Sequence, residues 1–386
     1  MPFVTIRHIT TYRYRRPVAF GEHRMMLHPR DSHDQRVIQA DLRISPEPRS
    51  LRFMQDAFGN HVGIARFSRR SNELSFESVV CVEHSPRDGF GLEDAGRPSR
   101  VKYSIDELRD LAPYLERHQL DPIDAVGRWA RELLFPSGAT GAFELLTRLS
   151  RGIHHGFLYK RREAKGVQPP TETLRLGHGS CRDFAMLMID ATRSIGFAAR
   201  FASGYLAIPL DDPQEPTGRS GRGSTHAWAQ IYLPGAGWID FDPTSGGVGN
   251  VDLVTVAVVP DPRHAIPLHG TYVGFPSDHL GMEVQVSVMF GSPEGDLDRS
   301  ATDRISTIGA PRRNHQSPVS LRGDPELETG AKRSQPAAVP EISIERVSST
   351  EAQYSPKQLK GESTSNRNCA SGVNTQGGIA ADRKSA

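Results

Sequence analysis

The sequence is poor in cysteine, with three in 386 residues, and Cys81, Cys181 and Cys369 lie far apart. That excludes a disulfide framework and matches no zinc-ligand spacing, so a reduced, cytoplasmic protein is expected. No apolar run approaches the ~20 residues of a membrane-spanning helix, so no membrane association is expected. Neither sign of charge dominates, with 47 Lys and Arg against 45 Asp and Glu. Composition therefore makes no electrostatic case for nucleic acid or an anionic surface. The first residues, Met1-Pro2-Phe3-Val4-Thr5-Ile6, alternate like a strand and lack the charged start and apolar run of a signal peptide.

What is present is organised around residues 177 to 197. There a small polar turn, Gly177-His178-Gly179-Ser180, delivers Cys181 to the start of an apolar helix. Phe184, Ala185, Leu187, Met188, Ala191 and Ile195 recur three and four apart, and Gly196 closes the segment. Cys181 thus sits in a first helical turn, where unpaired backbone N–H groups and the helix dipole favour an anion.

Before it, residues 2 to about 84 alternate with period two between turn residues and read as an antiparallel β domain, with Cys81 buried in its last strand. From about residue 103 the period becomes helical. Ser104 with Glu107 has the form of a capping box, Asp121-Pro122 opens a second helix, and a third runs from Ala142 to about His155. Residues 160 to 176 read as a loop whose basic run is a solvated surface. After the cysteine helix come strands at 199–206, 225–233 and 237–242, the last two a hairpin closed by Pro234-Gly235-Ala236-Gly237. A polar insert, 209–224, reads as a surface loop, and a final strand alternates from Met282 to Met289. Beyond residue 292 a single aromatic, Tyr354, remains, and we expect disorder. The expected domains are a β region over 1–95, a core over 100–290 and a tail over 292–386 that includes Cys369.

A nucleophilic cysteine needs a base within reach and a third group to orient the base. His226 starts one hairpin strand and Asp242 ends the other, so the hairpin brings the two ends together. Asp240 lies on the same side of its strand as Asp242, and alternation alone leaves both in play. Other motifs fail. Gly218 to Thr225 has glycines but no phosphate-loop lysine, Ser180 has no glycine two positions on, and His154, His155 and His178 have no metal-ligand spacing. No metal and no cofactor are expected.

Gly179-Ser180-Cys181-Arg182-Asp183-Phe184-Ala185, Arg193 to Tyr205, His226-Ala227-Trp228 and Trp238 to Thr244 together resemble the transglutaminase-like superfamily. Tyr12 to Val18, Leu27 to Arg30 and Asp56 to Asn60 are similar to the β-rich N-terminal region of bacterial transglutaminase-like proteins. The resemblance covers residues 1 to about 290. It implies an α+β fold, an N-terminal antiparallel β domain followed by a papain-like core with the cysteine helix packed on an antiparallel sheet. It implies a catalytic triad of Cys181, His226 and Asp242, and it decides for Asp242 over Asp240. The implied chemistry is thioester formation on protein or peptide amides, as a cysteine protease or amidase. Amine transfer, as in a transglutaminase, and a non-enzymatic scaffold are the alternatives. The Cys181 backbone N–H is the natural oxyanion donor and Tyr159 a second candidate. Asp183 is expected to stabilise the helix start. One departure is Pro260-Asp261-Pro262-Arg263-His264, where bacterial relatives commonly carry an Arg-Asp-Tyr-like segment. Were this segment to line the substrate cleft, specificity would differ from theirs.

Overall fold

A computed structural model of the chain describes residues 3–85, 103–134, 141–162, 166–209 and 220–291. Cys369 and the expected tail lie outside them. Five strands come first: β1 (Phe3–Met25), β2 (Gln35–Ser45), β3 (Ser50–Gln55), β4 (His61–Arg66) and β5 (Arg70–His84). Three helices follow, α1 (Ile105–Leu115), α2 (Ala125–Leu134) and α3 (Ala142–Gly156). The chain then makes β6 (Leu158–Tyr159), α4 (Pro170–Leu176), β7 (His178–Gly179) and α5 (Cys181–Ser194). It closes with β8 (Ala199–Pro209), β9 (Ser220–Leu233), β10 (Gly237–Asp242), β11 (Gly247–Val248), β12 (Leu253–Val259), β13 (Leu268–Val273) and β14 (His279–Phe290).

Among the described residues, 12 strands join into one antiparallel sheet, with β6 and β7 forming a separate parallel pair. The long strand β1 makes this possible. It buries Val4, Ile6, His8 and Thr10 on one face at period two and pairs with β5, β4, β13 and β14 at different points of its length. Because β14 also bonds to β9, the N-terminal strands and those around the cysteine helix share one hydrogen-bonded surface. Val4, Ile6, Val80 and Val82 pack with Tyr205, Ala207, Val254 and Val256 in one apolar cluster.

The main core lies where α5 meets the sheet. Phe184, Leu187, Met188 and Ala191 of α5 pack with Leu146, Leu149 and Ile153 of α3 and with Ala227, Ala229 and Ile231 of β9. Small alanines on the strand leave room for the helix to approach closely. Burying each large apolar side chain contributes roughly 1.5–3 kcal/mol, which anchors the helix that carries Cys181.

Three segments differ from the sequence expectation. The loop at 160–176 contains α4, because Pro170 occupies the first helical turn, where its missing N–H costs nothing, and Gly177 closes the helix at φ +67°. The strands flanking the polar insert are longer than hydrophobicity suggests, since backbone pairing of β8 with β9 extends to Pro209↔Gly221. Residues 210–219 lie outside the described residues. β12 also went unread because Leu253 to Val259 is almost wholly buried, and a strand covered on both faces does not alternate.

Candidate functional site

The turn before Cys181 is held from three sides. Gly177 directs the chain into β7, where Leu158↔His178 and Tyr159↔Gly179 pair in parallel and the Lys160 N–H reaches the Gly179 carbonyl at 2.8 Å. Asp183, fully buried, accepts from the Ser180 N–H and the Ser180 hydroxyl, both at 2.8 Å, and from the Gln168 N–H at 2.7 Å. Its charge is balanced by Arg162, whose Nε lies 2.8 Å from Oδ2 with only 18% of its side chain exposed. This residue corrects the reading of the basic run as wholly solvated. A buried carboxylate needs a cation, and the loop supplies one. Cys181 is left half-buried at the first position of α5, where its backbone N–H has no intrahelical partner and is available to an oxyanion.

The hairpin of β9 and β10 brings His226 and Asp242 together, with His226 Nε2 3.1 Å from Asp242 Oδ2. That leaves Nδ1 open to another partner, and Cys181 lies close enough for its charge to act on the imidazole. Burial opposes a charge on His226, but the hydrogen bonds and negative charges of Asp242 and Cys181 outweigh it and push the imidazole up to about 10. Asp242 is likewise buried, yet the His226 charge, the Ser245 hydroxyl (2.8 Å) and the Thr244 N–H (2.9 Å) hold it below the ordinary carboxylate range. The turn after Asp242 is itself fixed, because His154 of α3 donates from Nδ1 to the Thr244 carbonyl at 2.7 Å. Opposite His226 on β8 stands Gly204, where a Cβ would come within 2.0 Å of the Val254 carbonyl oxygen. Glycine is required there so that β12 can close on β8 behind the histidine.

Asp240 and Asp242, both open on alternation, have different neighbours. Asp240 Oδ1 accepts from Trp228 Nε1 at 2.5 Å and from Gln230 Nε2 at 2.7 Å, and burial raises its carboxyl to about 6. Trp228 in turn stacks on His226, with ring centroids 6.1 Å apart and planes 22° from parallel.

Tyr159 is half-exposed and sets its ring edge against Phe184, and its phenol is raised by partial burial first and by the nearby Cys181 charge second. Among the described residues no group of three or more His, Cys, Asp or Glu could hold a metal. His154 and His155 stack edge to face at α3, and His178 lies in β7 with its carbonyl bonded to Gln168. Cys81 is buried in β5. The segment at 260–264 sits at the far end of α5, where Arg193 donates to the Pro260 carbonyl at 2.8 Å. One helix of 14 residues, roughly 20 Å long, separates it from Cys181. There Arg263 and His264 border a cavity of about 400 Å³ shared with Arg24, Phe58 and His269. This segment therefore does not border the nucleophile. The network around Asp183 was only partly legible beforehand, since Arg162 carries no local pattern that distinguishes it from Arg161.

Residues 4–83 match the bacterial transglutaminase-like N-terminal region, and residues 130–243 match the transglutaminase-like superfamily. An uncharacterised protein of Mycobacterium leprae (strain TN) is 25% identical over 308 residues, which cover 72% of this chain and 96% of that protein. The uncharacterised protein YebA of Bacillus subtilis (strain 168) is 31% identical over 71 residues, 18% of this chain and 10% of its own. Among solved structures, a candidate cysteine protease from Cytophaga hutchinsonii superposes with a TM-score of 0.56 at 17% identity, covering 75% of this chain and 98% of the other. That last likeness is one of fold.

Proposed function

We propose, for a chain that belongs to the transglutaminase-like superfamily, that Cys181, His226 and Asp242 act as a triad that breaks amide bonds in proteins or peptides. In this reading the Cys181 thiolate, paired with the charged His226 imidazole, attacks the amide carbonyl. The C–N bond breaks as His226 gives its proton to the leaving amine, which leaves a thioester on Cys181 and a neutral imidazole. His226 then takes a proton from water as water attacks the thioester, the acid is released and the thiolate and charged imidazole re-form. Asp242 holds the ring throughout. An imidazole raised to about 10 is charged at neutral pH, which suits it to protonate a leaving group. The oxyanion is stabilised by the Cys181 backbone N–H at the positive end of α5.

The observation that carries this reading is one imidazole bonded to a carboxylate at 3.1 Å and raised by the charge of the only cysteine that begins a helix among the described residues. The same thioester passed to a primary amine would be transamidation. Wild-type protein and Cys181→Ala, incubated with glutaminyl and general peptide libraries with and without a primary amine, test both steps. Peptide fragments or free carboxylates made by wild type alone support hydrolysis. Amine incorporation reassigns the acceptor, and equal turnover by Cys181→Ala overturns the nucleophile.

A further inference from the structure

Asp242 bonds one atom of the His226 ring, and one hydrogen bond fixes a distance without fixing a plane. The tilt of the imidazole, which decides whether Nδ1 faces the sulfur, needs a second surface. That surface is the Trp228 indole, fully buried and stacked on the imidazole at 22°. The indole is itself pinned through Nε1 to Asp240 at 2.5 Å. Asp240 stands opposite Gln230 on the neighbouring strand and accepts from it at 2.7 Å, while Gln230 accepts from Arg200 Nε at 2.8 Å.

This arrangement is costly. Asp240 is 7% exposed, and both hydrogen bonds described for its carboxylate come from neutral donors. Arg200, the cation of the cluster, bonds to Gln230 and lies 4.0 Å over the Trp238 ring. A buried carboxylate without a directly bonded cation destabilises a fold, and an uncharged group of similar shape would serve packing better. Its place in the sheet is explained by what it holds.

We infer that Asp240 is a positioning residue for the triad, which acts through the Trp228 indole to keep the His226 ring in the plane that meets Cys181. The inference rests on the reading of Cys181 and His226 as a working pair. Asp240 touches neither the sulfur nor the substrate amide. Its effect reaches them through two rings.

The test uses the intact protein and a reagent that needs no knowledge of the substrate. The rate of Cys181 alkylation by iodoacetamide at pH 7 is followed by mass spectrometry of the Cys181 peptide, alongside thermal melting. Asp240→Leu removes the acceptor and is expected to slow alkylation by about tenfold, a modest misalignment effect, while the protein still melts cooperatively. Asp240→Asn keeps a carbonyl that can accept from both Trp228 and Gln230, and is expected to restore the rate to within about threefold. Trp228→Phe keeps a ring but loses the N–H. In that background Asp240→Leu is expected to add little, because the two residues act as one unit.

Wild-type reactivity in folded Asp240→Leu, or equal slowing by Asp240→Leu with and without Trp228→Phe, overturns the inference. Should Asp240→Leu fail to melt cooperatively, Trp228→Phe and Asp240→Asn decide. A slowed Trp228→Phe with a reactive Asp240→Asn supports the inference, and an unslowed Trp228→Phe overturns it. A wild-type Cys181 that alkylates no faster than a free peptide thiol overturns the triad reading itself, a result distinct from any of these.

Discussion

The N-terminal strands and the hairpin beside α5 each bury a histidine, and the surroundings shift the two imidazoles in opposite directions. His8 in β1 is 3% exposed, and its ring nitrogens meet the Tyr205 hydroxyl at 2.8 Å and the Thr10 hydroxyl at 2.9 Å. Burial lowers it to about 4. His226 in β9 is 8% exposed, bonds Asp242, feels the charge of Cys181, and is raised to about 10. Burial is nearly the same in both. What differs is the partner, because neutral hydroxyls cannot offset the desolvation of a cation and anions can. One site is structural joinery between β1 and β8, and the other holds the imidazole that we propose transfers protons.

The comparison breaks most sharply at Asp242. Asp242→Asn keeps a polar side chain beside Nε2 but removes one of the two negative neighbours. His226 should then fall toward the range of His8, and amide turnover should drop by about 10²–10⁴-fold, as expected for loss of the group that orients a catalytic imidazole. A turnover assay on the most responsive peptide checks this. Retention of more than about a tenth of the wild-type rate would contradict the role assigned to Asp242.

Stability against pH should slope in opposite senses for the two histidines. His226 is raised in the folded state, so its contribution is complete below its ordinary value of 6.5 and is lost as pH rises through about 10. His8 is lowered, so the native state is weakened as pH falls from 6.5 through about 4. Melting curves from pH 4 to 10 should show both limbs. His226→Gln should flatten the alkaline limb alone and His8→Gln the acid limb alone.

The smallest effect is expected at Tyr205→Phe. It leaves the buried His8 Nδ1 without its partner, at a cost of about 1–3 kcal/mol by melting. Alkylation of Cys181 should not change, because the joinery and the site share a backbone ladder without sharing a side-chain hydrogen bond. A slowed Cys181 would show that the two regions are coupled.

How much of this was legible beforehand follows from which signals are local. The α5 helix, the hairpin and the capping box at Ser104 and Glu107, with its bonds of 2.8 and 3.1 Å, are written in spacings of a few residues. Cys181, His226 and Asp242 could be picked out because they fall at ends of such elements, yet alternation could not separate Asp242 from Asp240. Their difference lies in partners two positions apart on a neighbouring strand, with Trp228 and Gln230 turned to one and His226 to the other. Arg162 was hidden for a similar reason, since its partner Asp183 lies across a loop and a short helix. α4 was missed because prolines that start a helix look like prolines that break one. β12 was missed because burial on both faces erases the alternation by which strands are read.

A ¹⁵N NMR titration of the histidine rings, assigned with His226→Gln and His8→Gln, reads whether Asp242 and Cys181 together hold a charge on His226. His226 is expected to remain an imidazolium at pH 8 and to lose its proton near 10, while His8 stays neutral down to about 4. A His226 signal that titrates near the ordinary 6.5, and does not move in Asp242→Asn, would contradict this expectation.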